Sequence, residues 1–259
     1  MAEAVDRKEL TRLVTDVYAQ VAQEPGAGYH FEVGRGVAAK LGYPDELLDK
    51  VPQRAVDSFA GVGYYFDLAA LQPGQSVLDL GSGSGMDSFM AAVQVGPTGV
   101  VVGVDITPEQ LEKANQLRSE AFSNVSFQNA QIDALPFEDN RFDVAISNGV
   151  LNLLPDKAKG FAEIARVLKP RGKLALADIV TEKQLIEGIV CDATLWASCI
   201  GGAMQEDRYT SAIEDAGMRV VTVRENPQYQ FLSESAQEAS AEFGVKSVSL
   251  LAEKRLRTR

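Results

Sequence analysis

Cysteine is almost missing from this chain, and histidine nearly so: 259 residues hold two cysteines and one histidine. Cys191 and Cys199 are too few for a disulfide framework or a CxxC metal clip, and suit free thiols in a reducing compartment. No metal is implied. No apolar run reaches the roughly 20 residues that cross a bilayer. Met1 to Gln20 is charged and lacks the apolar centre of a secretory leader, which points to a cytoplasmic protein. Basic residues are also scarce, with 25 lysines and arginines against 36 acids and a formal charge of −11. That balance opposes nucleic-acid backbones and anionic lipid, since both need a basic face. The cation-rich stretch Glu253-Lys254-Arg255-Leu256-Arg257-Thr258-Arg259 reads as a solvated end. The expected partner is therefore a small molecule.

What the chain does have is apolar periodicity. Asp6 to Glu24 carries Leu10, Leu13, Val14, Val17, Tyr18 and Val21 on one helical stripe, ended by Pro25-Gly26-Ala27-Gly28. Short helices are expected at Val37 to Leu41 and around Asp45 to Lys50, with a loop over Ala55 to Tyr65 leading to another. From Ser76 the pattern alternates. Strands are expected at Ser76–Leu80, Val100–Asp105, Val125–Asn129, Phe142–Ser147 and Lys173–Ile179, with helices at Met86–Val95, Pro108–Phe122 and Ala158–Val167. Short apolar strands separated by helices predict a parallel sheet buried on both faces. Arg219–Arg224 and Val245–Ala252 read as two closing strands, and Thr181–Met204 as a helical insertion. The expectation is an α/β fold with a doubly wound, seven-stranded, mostly parallel sheet. Residues 1–70 form a helical N-terminal or lid segment, 71–259 the main domain, and 181–204 a substrate-side insertion.

The strongest chemical signal is Val77-Leu78-Asp79-Leu80-Gly81-Ser82-Gly83-Ser84-Gly85, a strand entering a glycine-rich turn before a helix. Open α/β sheets bind ligands at this edge, and glycines let the backbone approach them closely. The spacing is GxGxG after an acid, not the GxGxxG that cradles a dinucleotide, which disfavours a nicotinamide dehydrogenase. Asp105 ends the second strand, where a carboxylate can accept from both ribose hydroxyls. Ile106 follows it. Gln131 and Ile132, after the third strand, are placed to meet an adenine edge. Ser147-Asn148-Gly149 closes the fourth strand beside the reacting centre.

With these motifs in this order, residues Leu71 to Val180 resemble class I, Rossmann-like methyltransferases. The resemblance implies S-adenosylmethionine as cofactor and methyl transfer as activity. It assigns Asp79 to anchoring the turn, Gly81, Ser82, Gly83 and Gly85 to the methionine portion, Asp105 and Ile106 to the ribose side, and Gln131 and Ile132 to adenine. Asn148 then faces the methyl. Leu135-Pro136-Phe137 and Val167-Leu168-Lys169-Pro170 are similar to elements of small-molecule enzymes, including quinone C-methyltransferases. Ser147 to Lys157 and Leu195 to Ala203 resemble the arsenite methyltransferases more narrowly.

The resemblance fails at the thiols. Arsenite enzymes hold arsenic with thiolates from three places, and only Cys199 matches one of them; Gly149 and Val62 stand at the other two. Tyr29-His30-Phe31 occupies roughly the place of the family's N-terminal cysteines. The acceptor is accordingly expected to be a small molecule methylated at O, N, C or S. Tyr29, Phe31, Tyr64, Tyr65, Phe66 and Trp196 either line an apolar pocket or are core. His30 is a general base or a loop histidine capping the backbone. Asp178 is a second base, or a solvated sheet end or helix cap, and Cys199 a pocket thiol or a buried small hydrophobe; Cys191 reads as core. Two rivals stay open: a metalloid or thiol methyltransferase using Cys199, and a silent cofactor-binding protein.

Overall fold

A computed structural model of the chain describes residues 7–186, 189 and 200–256. Helices α1 (Arg7–Gln23), α2 (Arg35–Leu41), α3 (Asp45–Leu48), α4 (Gln53–Asp57) and α5 (Phe66–Ala69) precede β1 (Ser76–Leu80). Then follow α6 (Met86–Val95), β2 (Val100–Asp105), α7 (Pro108–Leu117), β3 (Val125–Asn129), β4 (Phe142–Asn148), α8 (Lys157–Val167) and β5 (Leu168–Thr181). The chain continues through β6 (Met204–Gln205), α9 (Glu206–Asp215), β7 (Met218–Glu225), α10 (Glu234–Phe243) and β8 (Lys246–Lys254).

The strand order is β3-β2-β1-β4-β5-β8-β7, parallel from β3 to β5, with β8 antiparallel to both β5 and β7. The sheet has eight strands among the described residues, not seven. The extra one is β6, which pairs with Val180 and Thr181. β4 stops pairing with β5 at Ala177, so the end of β5 projects past its neighbour and β6 takes up the backbone groups left there. The helix expected over Pro108–Phe122 stops at Leu117, and a 3₁₀ turn at Glu120–Phe122 drops the Phe122 ring onto Phe89, 4.8 Å between centroids.

Alternation explains why both faces are buried. Val77 and Val101 point to one side, against Phe89 and Met90 of α6, Leu111 of α7 and Leu10 and Val14 of α1. Leu78, Leu80, Val102 and Val104 point to the other, against Phe161 and Ile164 of α8 and Ile213 of α9. Fully burying each such side chain stabilises the fold by about 1.5–3 kcal/mol. The N-terminal segment shares the first of these cores. It is also tied across α7, where Gln110 Nε2 donates to the Tyr18 carbonyl at 2.8 Å and Lys113 Nζ to the Ala22 carbonyl at 2.9 Å. Of the expected helical insertion, residues 187, 188 and 190–199 lie outside the described residues; Cys191, Trp196 and Cys199 are among them.

Candidate functional site

After Leu80 the backbone passes through Gly81, Gly83 and Gly85 at φ of +70°, +52° and +91° before α6 begins. Side chains with a Cβ avoid this region at a cost of about 1–2 kcal/mol. The turn is pinned to the end of β2. Gly81 and Ser82 N–H donate to the Val104 carbonyl at 2.8 and 2.9 Å, and Gly83 N–H donates to Asp105 Oδ2 at 2.9 Å. Thr107 N–H donates to Asp105 Oδ1 at 2.8 Å. Burial raises the Asp105 carboxyl above its ordinary value, and these N–H donors oppose the rise.

Above the turn lies a cavity of about 540 Å³. It sits at the carboxyl ends of β1, β2 and β4, where strand order reverses between β1 and β4. Asp79, Gly81, Ser82, Gly83, Asp105, Ile106, Gln131, Ile132 and Asn148 all border it. Gly85 does not. A Cβ there would come within 2.6 Å of Phe127 Cζ, so this glycine serves helix–sheet packing behind the turn. Asp79 is buried and accepts from Ser88 Oγ at 2.5 Å, which ties β1 to α6. Leu10, Val14 and Tyr18 of α1, with Phe59, Leu153 and Leu154, supply the apolar wall. The Ser82 hydroxyl is buried and has no hydrogen-bond partner among the described residues.

Other expected residues fall elsewhere. His30 borders a separate hollow of about 10 Å³ with Phe31, Val62 and Tyr229, not the cavity. Its ring packs edge-on against Phe31 at 4.6 Å, and Phe31 stacks between Tyr18 and Tyr29. The Tyr29 hydroxyl donates to the Glu24 carbonyl at 2.7 Å. Tyr64, Tyr65 and Phe66 pack around Tyr43 or one another and leave the cavity to Tyr18 and Phe59. Asp178 is 1% exposed and also off the cavity, accepting from Asn152 N–H, Ile179 N–H and the Tyr209 hydroxyl at 2.8, 2.9 and 2.6 Å. That set of donors makes it an anchor for the loop after β4. Asn148 borders the cavity, but its side chain is engaged: Oδ1 accepts from Val62 N–H at 2.8 Å and Nδ2 donates to the Gly63 carbonyl at 3.0 Å. It fixes the 61–63 loop.

One cavity residue that sequence reasoning missed is Asp87, which accepts from the Tyr43 and Tyr65 hydroxyls at 2.9 and 2.7 Å. An acid in the first turn of α6 reads as a complement to the helix dipole, so nothing in its spacing marks it.

A family model described as a methyltransferase domain matches residues 71–217, more than half of the chain. The chain belongs to the class I S-adenosylmethionine-dependent methyltransferases. Among curated relatives, the arsenite methyltransferase of Halobacterium salinarum is 39% identical over 186 residues, which is 71% of this chain and 47% of that protein. The ubiquinone/menaquinone biosynthesis C-methyltransferase UbiE of Yersinia enterocolitica is 35% identical over 173 residues, 66% of each chain. An arsenic(III) S-adenosylmethionine methyltransferase from Chlamydomonas reinhardtii aligns with TM-score 0.63 and 30% identity over 86% of this chain and 74% of that one. The chain spans about half the length of the first arsenite relative.

S-adenosylmethionine is the cofactor of this family, and the site's own chemistry agrees with it. The cavity, at about 540 Å³, lies within the roughly 300–1,000 Å³ of pockets that enclose a ligand. Its glycine turn admits a close backbone approach, its Ser82 hydroxyl lacks a protein partner, and its wall carries buried carboxylates suited to a cation.

Proposed function

We propose that this chain transfers a methyl group from S-adenosylmethionine to a small organic acceptor at an O, N, C or S atom. The observation that carries the reading is one cavity that joins the glycine turn and Asp105 to an apolar wall from α1, Phe59, Leu153 and Leu154. Asp105 would hold the ribose hydroxyls, Gln131 and Ile132 the adenine, and Gly81, Ser82 and Gly83 the methionine portion. When bound, the cofactor supplies an activated methyl on a sulfonium. The protein's part is to align the acceptor in line with that bond and to exclude water, and orientation of this kind supplies much of the benefit. Asn148 acts here as a positioning residue. Release of S-adenosylhomocysteine by the purified protein against a panel of metabolites tests the reading. Cofactor binding without release on any acceptor would favour the silent-binder alternative.

Asp105→Ala is expected to weaken S-adenosylmethionine about tenfold to a hundredfold, from the loss of a charge-assisted acceptor worth about 1.5–3 kcal/mol. Unchanged affinity by calorimetry would show that the ribose is held elsewhere.

The arsenite relatives invite a metalloid reading, and two residues speak against it. Val62 is 2% exposed, and a Cβ at Gly149 would stand 3.3 Å from Val62 Cγ1. The two positions where the resemblance expects thiolates are therefore neighbours, and both are without sulfur. Trivalent arsenic needs soft ligands, and Cys199 alone supplies one. Arsenite with saturating cofactor is expected to yield no methylated arsenic by chromatography coupled to mass spectrometry. Its rapid formation would overturn the organic-acceptor reading.

A further inference from the structure

The loop between β4 and α8 forms one wall of the cavity through Val150, Leu153, Leu154, Pro155 and Asp156, and it reaches both ends of the expected cofactor site. Val150 lies directly on Gly81, where any Cβ would run into its methyls. At the other end Leu154 and Ile132 converge on Gly160, where a Cβ would stand 2.5 Å from Leu154 Cδ1 and 3.8 Å from Ile132 Cγ2. The wall therefore runs from the glycine turn to the adenine side. Little regular structure supports it, since Leu151–Leu153 is a single 3₁₀ turn.

Two charged side chains hold this wall from behind, and they meet on one residue. Asp178 Oδ2, from β5, accepts from Asn152 N–H at 2.8 Å. Lys157 Nζ, from α8, donates to the Asn152 carbonyl at 2.8 Å and to the Leu154 carbonyl at 3.0 Å. Tyr209 Oη, from α9, donates to the same Asp178 oxygen at 2.6 Å. All three side chains are buried, and none of them borders the cavity. Burying charge is costly, and neutral side chains can make the same bonds to a backbone. What charge adds is strength, because charge-assisted hydrogen bonds are roughly twice as strong as neutral ones. The backbone at Asn152 is thus gripped on its donor and its acceptor by groups of opposite sign.

We propose that Asp178, Lys157 and Tyr209 are positioning residues for cofactor binding: off the cavity themselves, they set the affinity of the site by clamping its wall at Asn152. This rests on the cofactor reading above. The clamp is tightest with Asp178 ionised and Lys157 protonated. Burial lifts the Asp178 carboxyl to about 6, opposed by the Tyr209 hydroxyl, the Ile179 N–H, the charge of Lys157 and the Asn152 N–H. Burial lowers Lys157 to about 8, opposed by Asp178. The titratable groups that face Asp178 are Lys157 of α8 and Tyr209 of α9, and its partner across on β8 is Val248. The carboxylate that raises Tyr209 is Asp178, and the acids bordering the cavity do not act on it. Removing the Tyr209 hydroxyl therefore increases the proton affinity of Asp178 and leaves Asp79, Asp87 and Asp105 as they are.

Calorimetry with S-adenosylhomocysteine on wild type and Tyr209→Phe, at pH 7 and pH 5, tests the proposal. Phenylalanine keeps the ring that packs edge-on against Phe161 at 5.3 Å and deletes only the hydroxyl. At pH 7 the variant should bind about three- to tenfold more weakly, because its Asp178 is protonated more of the time. At pH 5 the carboxyl is largely protonated in both proteins, so the ratio of affinities should shrink toward one. Titration of the ligand and of the cavity aspartates is common to both proteins and cancels in that ratio. A ratio equal at the two pH values would assign the loss to packing and overturn the proposal, and so would unchanged affinity at pH 7. Ile213→Val, a buried change on the same helix, controls for general destabilisation: its melting temperature should fall while its affinity stays within about twofold of wild type. An affinity loss there as large as that of Tyr209→Phe would also count against the clamp. Should Tyr209→Phe not fold, Lys157→Met removes the grip on the two carbonyls, and its affinity loss should likewise be larger at pH 7 than at pH 5. Failure of wild type to bind either S-adenosylhomocysteine or S-adenosylmethionine would instead overturn the cofactor reading.

Discussion

Gly81→Ala is expected to cost about 2–5 kcal/mol of stability and to remove measurable cofactor binding. Two terms add. The backbone at position 81 has φ +70°, a conformation that costs an alanine about 1–2 kcal/mol. A Cβ there would also run into both methyls of Val150, and overpacking of this kind costs about 1–3 kcal/mol. Val150 itself borders the cavity, so relief by moving its side chain would narrow the space meant for the cofactor. In a chain of this size the melting temperature should fall by roughly 4–20 °C. Val150→Ala in the same chain gives the new methyl room and should recover the steric part, leaving the backbone part. Full recovery would show that strain at φ +70° contributes nothing, and an unchanged melting temperature in the single variant would show that the turn adapts freely.

The glycine turn was legible in the sequence because its determinants are local: an apolar strand, an acid, and three glycines ahead of a helix. Asp105, Gln131 and Ile132 were legible for a related reason. In a parallel sheet the ends of successive strands gather at one edge, so residues far apart in the chain share a wall once the strands are placed. What could not be read was the facing of side chains outside the sheet. Tyr65 looks like a lining aromatic, yet it approaches from behind and gives its hydroxyl to Asp87. His30 sits in a glycine-dotted stretch that suggests a flap, yet it borders a separate small hollow with Phe31 and Val62. The apolar stripe of α1 predicted burial but not its partner, and that partner proved to be α7 and the cavity. β6, two residues long, has no pattern of its own and exists because the end of β5 needs a neighbour.

Lys157→Met should destabilise the protein by about 3 kcal/mol at neutral pH, with a deficit that shrinks as the pH falls. Lys157 is 6% exposed at the start of α8, and its Nζ donates to the carbonyls of Asn152 and Leu154 at 2.8 and 3.0 Å. It is also the cation whose charge opposes the rise at Asp178. Burial pushes the Asp178 carboxyl up to about 6 despite its donors, and holds Lys157 down to about 8 despite Asp178. The signs follow from linkage. Asp178 has a folded value above its unfolded one, so its contribution to stability is full below the unfolded value near 3.8 and is lost as pH rises through about 6. Lys157 has a folded value below its unfolded one, so its contribution is full above about 10.5 and is lost as pH falls through about 8. Between those two folded values both groups are charged and depend on each other, and methionine there strands a buried carboxylate. At pH 5 Asp178 is largely protonated in either protein and the missing cation matters less. Melting temperatures of wild type and variant at pH 7 and pH 5 measure the difference directly, and an equal deficit at both would assign the loss to packing and the two carbonyl bonds, not to charge. The loop between β4 and α8 borders the cavity through Val150, Leu153 and Leu154, so the same substitution should also loosen the acceptor side of the site.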